Sequence, residues 1–126
     1  LSANALAISA MHAMLTSVIT RENYAVMLTG AERLVEGLAA VIARRRLAWH
    51  VTQVGARVEL LCSPVPPRNG SEAKVGMQPA LEALIHLYLT NRGSLLAPFH
   101  NMMLVSPLTL DKQIDHLVAS VDALAQ

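Results

Sequence analysis

The sequence predicts an α+β fold, a mainly antiparallel sheet covered by helices and preceded by a long helix. Three observations predict it. Apolar residues recur at spacings of three and four near both ends of the chain. Two short β-rich runs flank Gly55-Ala56 and read as a hairpin. A proline-rich stretch, Pro64 to Gly70, then separates that hairpin from a further helical pattern. The 126 residues fit one domain, long enough to bury a core without disulfides or metals. No internal repeat or low-complexity segment is visible.

The elements follow in order. Residues 4 to 18 read as a helix that Ser2 or Asn4 could cap. Leu6, Ala10, Ala13, Met14 and Ser17 keep helical spacing, but the polar face is weak, and a helix apolar nearly all round is expected to be buried, inside the domain or against another one. A second helix runs from about Glu22 to Arg46. Its apolar stripe carries Leu28, Ala31, Leu34, Val35, Leu38, Val41 and Ile42, with Glu32, Arg33 and Glu36 opposite. Gly30 and Gly37 weaken it locally and point to the close approach of another element. The hairpin strands are Trp49 to Val54 and Arg57 to Ser63, with Val58, Leu60 and Cys62 sharing one face. Pro79 suits the first turn of a third helix that ends at Asn91-Arg92-Gly93. Leu95 to Ala97 and Met102 to Ser106 read as short strands around a bend at Pro98-Phe99-His100-Asn101. Thr109 is expected to cap the last helix, Leu110 to Leu124, whose inward face holds Ile114, Leu117, Val118, Val121 and Leu124. The order is α, α, β, β, α, β, β, α.

Composition narrows the function. Apolar residues make up 53% of the chain, which points either to a membrane protein or to a domain with a face that needs a partner. The most apolar stretch, Ala3 to Ile19, is interrupted by Asn4, Ser9, His12, Thr16 and Ser17. It falls short of the ~20 predominantly apolar residues of a span, so no membrane partner is expected. A net charge of +1 does not select for nucleic acid. Arg44-Arg45-Arg46 reads as a helix end complementing its dipole. Cys62, the only cysteine, sits in an apolar run as a small buried hydrophobe, which suits a reducing, cytoplasmic setting. The five histidines lack metal-site spacing, and there is no CxxC, GxSxG or GxGxxG, so no metal is expected. No signal peptide is visible ahead of the apolar stretch, and a chain that starts at Leu1 reads as a segment of something longer.

Three stretches together resemble one family. Leu1-Ser2-Ala3-Asn4-Ala5-Leu6-Ala7 is similar to the T-[LFY]-[SG]-[GA]-N-P-L-A stretch of class III aminotransferases, with Ala5 in place of the proline. Val54 to Glu59, followed by Pro66 to Ala73, resembles the hairpin and loop of glutamate-1-semialdehyde aminomutase and its relatives. Leu87 to Pro107 resembles, without gaps, a stretch found in the branch that includes β-amino-acid aminotransferases, and Ile114-Asp115-His116 follows it in a closing helix.

The resemblance implies residues 1–126 as the C-terminal small domain of a fold type I aminotransferase, with residues 3–18 as its connecting helix. It implies pyridoxal phosphate as the cofactor of the intact parent, bound to none of this fragment alone. The partners it implies are a missing large domain and a second subunit, in a homo-oligomer. By the same resemblance Ser2 lies beside the cofactor phosphate of the neighbouring subunit, where free N–H groups at a helix start suit an anion; the plainer role for Ser2 is a helix cap. The bend at Phe99, His100, Asn101 and Met102 is implied to face the substrate. His100 and Asn101 are then expected to be partly exposed, with Leu96, Leu104 and Ile114 buried. Arg92 could meet a carboxylate, although a solvated helix end is the simpler reading. Only Lys74 and Lys112 exist, and neither matches the family's cofactor-anchoring lysine, so no catalytic residue is assigned. The alternative function is a non-catalytic dimerisation or regulatory module.

Overall fold

Helix α1, Ala5–Ala13, begins where the Asn4 side chain accepts the Ala7 amide at 2.9 Å. It widens into a π-helical turn, Met14–Val18, closed by the Ile19 amide on the Met14 carbonyl at 2.9 Å. The computed structural model describes residues 4–97 and 101–126. Thr20 caps the next helix, α2 (Arg21–Arg45), by accepting the Asn23 amide.

Helix α2 behaves as its pattern predicts. Ala31, Leu34, Leu38 and Val41 are buried, joined by Met27, while Glu32, Arg33 and Glu36 face water. It ends at Arg46 in the left-handed conformation. The chain then forms β1 (His50–Val54) and β2 (Arg57–Leu61), antiparallel with Val54 opposite Arg57. Gly55 at φ 59° supplies the positive φ that a two-residue hairpin turn requires.

A short helix, α3 (Gly70–Gly76), follows the proline-rich loop and was not expected. Asn69 accepts the Glu72 amide at 3.0 Å, and the Glu72 carboxylate reaches back to the Arg68 amide at 2.9 Å. This is a capping-box arrangement displaced by one residue. Helix α4 (Pro79–Asn91) starts on Pro79 as expected.

Strand β3 (Met102–Leu104) pairs with β2, placing Leu104 opposite Arg57 and Met103 opposite Val58. The sheet order is β1-β2-β3. The expected strand Leu95–Ala97 is reduced to one bridge, Ala97 to Met102, because a ladder gains no amide from the proline that follows in sequence. The register corrects one expectation. Leu104 is 68% exposed, while Met103 is 3% exposed. Side chains alternate along a strand, so pairing Met103 with inward-facing Val58 turns Leu104 out. Leu96 and Ile114 are buried as expected.

Helix α5 (Asp111–Leu124) closes the core with Ile114, Leu117 and Val121. Thr109 does not cap it. Its hydroxyl accepts the Ser106 amide at 2.9 Å, and the helix start is fastened by the Leu110 amide on the Gln113 side chain at 2.8 Å. The two glycines of α2 lie under neighbouring side chains. A β-carbon on Gly37 would sit 2.7 Å from Val118 Cγ2, and one on Gly30 would sit 3.0 Å from Val105 Cγ1. The same two helices are clamped at the surface. Asp122 takes Arg45 through two hydrogen bonds of 2.7 and 3.0 Å and meets Arg44 at 2.8 Å. The arginine run therefore has an acidic partner besides the helix dipole.

Helix α1 takes no part in the core. Leu6 is 80% exposed and no residue of Ala5–Val18 is buried, so of the two burials expected for it, inside the domain or against another one, the first does not occur. Among the described residues no other element packs on it. No helix among them is long and apolar enough to cross a membrane.

Two predictions follow from this packing. Met103→Ala should cost about 2–5 kcal/mol as a buried truncation, and Leu104→Ala should stay within about 0.5 kcal/mol as a surface change; thermal melts of the two variants check the register. The second concerns pH. The Arg45 and Arg44 guanidinium groups hold the Asp122 carboxyl at about 2, below its ordinary 3.8. A depressed carboxylate stabilises the fold above its unfolded value and loses that contribution as pH falls through the folded one. The melting-temperature gap between the parent chain and Asp122→Asn should therefore narrow between pH 4 and pH 2.

Candidate functional site

The bend after Ala97 is the place where sequence reasoning put function, and the structure describes half of it. The Ala97 amide donates to the Met102 carbonyl at 3.1 Å, which draws the two sides of the bend together. Ser2, Phe99 and His100 lie outside the described residues. Asn101 and Met102 lie within them, and they part company.

Asn101 was expected to be partly exposed. It is 2% exposed, at φ 46°, in the left-handed region. Asparagine tolerates that region better than most residues. The turn carries its side chain into the domain, and its Nδ2 finds no hydrogen-bond partner among the described residues. Met102 is half-buried on the other face of the sheet, beside Glu59. The bend thus presents one residue inward and one outward, where the sequence reading had them together.

A recess borders this bend. It measures about 470 Å³ and lies between residues 93–96, β3 and the first half of α5. Leu96, Met103, Ile114 and Leu117 form its apolar floor, and Lys112 and Gln113 stand on its rim. One end is tied down by His116, whose Nε2 lies 2.8 Å from the Arg92 carbonyl. The Arg92 guanidinium stacks 4.5 Å over the Tyr88 ring and is exposed, in keeping with a solvated helix end. Sequence reasoning missed this recess because its walls lie some twenty residues apart and share no motif.

The remaining titratable groups do not converge. Burial, followed by the Glu82 charge, pushes the Cys62 thiol up to about 11, so it is a packed hydrophobe and a poor nucleophile. His50 Nδ1 contacts the Ser63 carbonyl at 2.5 Å. Among the described residues no group of histidine, cysteine or acidic side chains could hold a metal. Lys74 on α3 and Lys112 on α5 are both exposed, without the desolvated setting that activates an amine as a nucleophile. The described residues therefore do not by themselves fit a cofactor anchored through a lysine.

Known structures give the class. The glutamate-1-semialdehyde-aminomutase of Pseudomonas aeruginosa PAO1 is 42% identical, with a TM-score of 0.91, over 96% of this chain and 27% of that one. A lysine-to-alanine variant of the same enzyme, in complex with PMP, matches equally well. A β-phenylalanine aminotransferase from Variovorax paradoxus shares the fold at a TM-score of 0.82 and 24% identity, over 94% of this chain and 27% of that one. No protein-family model matches the chain, and no curated protein matches it. The α+β layers with a three-stranded antiparallel sheet are therefore those of an aminotransferase C-terminal domain. The chain is therefore similar to a stretch of the class III pyridoxal-phosphate-dependent aminotransferases, and it spans 27% of the length of those solved relatives.

The left-handed turn generates a prediction. Asn101→Gly should be close to neutral, because glycine adopts φ 46° without strain. Asn101→Val should cost about 2 kcal/mol or more, since a β-branched residue is strained there. Chemical denaturation of the two variants separates these outcomes.

Proposed function

We propose that this chain supplies the C-terminal domain of a pyridoxal-phosphate-dependent aminotransferase or aminomutase that moves an amino group between amino and keto acids. We further propose that the chain alone does not catalyse the transfer. The observation that carries the reading is the 42% identity and 0.91 TM-score to glutamate-1-semialdehyde-aminomutase along nearly the whole chain. When bound in such an enzyme, pyridoxal phosphate supplies the electron sink for the reaction. The two exposed lysines support inactivity in isolation. On this reading the large domain brings the anchoring lysine, Ser2 lies near the cofactor phosphate of the neighbouring subunit, and the bend faces the substrate through Phe99, His100 and Met102, with the Asn101 side chain turned into the domain. The buried, lone thiol of Cys62 suits a cytoplasmic setting.

Two surfaces support a partner in the form of the large domain and a second subunit. One is α1, which carries Leu6, Met11 and Leu15 into solvent with no acidic or basic residue other than His12. The other is the outer face of the sheet, where Val54 and Leu104 flank Arg57 in one row. Contiguous apolar surface like that of α1 marks an interaction site, and exposed Val54 and Leu104 add apolar area on either side of Arg57. The exposure of α1 also favours the second reading, a non-catalytic dimerisation module.

Incubating the chain with pyridoxal phosphate and amino donors should give no turnover; a protein-bound chromophore with sustained amino transfer overturns the inactivity. Sedimentation at tens of micromolar, roughly where weak interfaces associate, should show a dimer or larger species. A clean monomer removes the self-association and leaves the aminotransferase reading standing.

A further inference from the structure

We propose that the recess between residues 93–96, β3 and α5 binds a small carboxylate with an apolar tail, such as an arylalkanoate. The proposal rests on the lining of the recess and not on the aminotransferase reading.

Its shape comes from packing that stops short of closure. Leu96 and Met103 come from the bend and from β3, and Ile114 and Leu117 from α5; all four are below 9% exposure, yet together they floor a space of about 470 Å³. That volume lies within the usual range of small-molecule sites, which are mostly apolar with a few placed polar groups. Leu95 and Leu104 form the lips and are 86% and 68% exposed, so apolar surface continues outward from the floor. The floor and lips together would cover a ring or a short chain.

The charge of the rim selects the head group. Among the described residues that line the recess there is Lys112 and no aspartate or glutamate. The acids of the same helix point elsewhere. Asp115 accepts Arg33 Nε at 3.0 Å and Nη2 at 2.8 Å, and Asp111 lies 3.8 Å from Arg33 Nη1. Lys112 itself makes no ion pair among the described residues. Helix α5 therefore divides its charges, neutralising its acids against α2 and leaving one ammonium group over the apolar recess. A carboxylate beside an apolar tail matches both features. The His116 contact with the Arg92 carbonyl braces the far wall, so the recess keeps its shape without the ligand.

The test uses the chain itself with 3-phenylpropionate, and with 3-phenylpropanol as its uncharged counterpart. Amide chemical shifts in residues 93–96, β3 and the first half of α5 should move on titration, with a Kd of about 1 mM, the range set by ligand efficiency for some ten heavy atoms. The alcohol should bind at least 5-fold more weakly, an effect on the scale of one exposed charge contact. Lys112→Gln should weaken the acid by a similar factor and leave the alcohol unchanged. Leu104→Glu, at an exposed lip, should weaken the acid further. If self-association broadens the protein signals, saturation transfer read on the ligand gives the same comparison. The proposal is overturned if acid and alcohol bind equally, if Lys112→Gln leaves the acid unaffected, if the shifts fall on α1, or if no binding appears at 10-fold above the expected Kd.

Discussion

Helix α2 is the element that every other part of the core requires. Its buried stripe, from Ala31 to Val41, meets β1 and β2 on one side and α5 on the other. The contact with α5 is possible only because Gly37 has no β-carbon to collide with Val118, and Gly30 leaves room for Val105 and Ile114. Glycine in the middle of a helix costs about 1 kcal/mol against alanine. Here that local cost is offset by backbone-close packing of a helix that brings Ile114, Leu117 and Val121 into the core. The Arg45–Asp122 and Arg33–Asp115 pairs also link the two helices, the first part-buried and the second exposed, where an ion pair contributes little.

The core formed this way is closed on one side of the sheet only. Val58, Leu60 and Met103 point into it, and the opposite face carries Leu104 and Val54 in the open. An antiparallel sheet can have one wet face, but such a face is ordinarily polar. Together with α1, which is apolar all round and buries nothing, the outer face leaves the domain with more hydrophobic surface than its own helices cover. The solved relatives are between three and four times longer than this chain, as their 27% coverage requires. The surplus apolar surface is the physical basis for proposing a large domain as the partner.

What was legible in the sequence was mostly helical. The 3.6-residue periodicity of α2 and α5 identified Leu34, Leu38, Val41, Ile114, Leu117 and Val121 as buried, because that pattern is written along one segment and needs no knowledge of its neighbours. The hairpin was equally local, set by Gly55-Ala56 and the alternation of Val58, Leu60 and Cys62. The register of β3 was not local. Met102-Met103-Leu104 is apolar at every position, so nothing within the strand says which residue faces in, and only pairing with Val58 decides it. Helix α3 carried a signal that was passed over: Asn69 and Glu72 stand at capping-box spacing, obscured by the prolines before them and by Gly70.

The candidate site shows the same division more sharply. Asn101 belongs to a stretch that resembles a substrate-facing bend, and a resemblance of sequence assigns a segment to a place without fixing the direction of each side chain. The left-handed φ of Asn101 turns that residue into the domain, while Met102 one step later faces out. The recess beside the bend had no sequence signal at all, because it exists only where three elements fail to fill the space between them. Periodicity reports where a chain buries apolar atoms, and it does so one element at a time. A binding site is a departure from complete burial, shared among elements. That is why the core of this domain is legible in its residues, whereas the position of Lys112 at the recess follows only from where α5 and β3 lie.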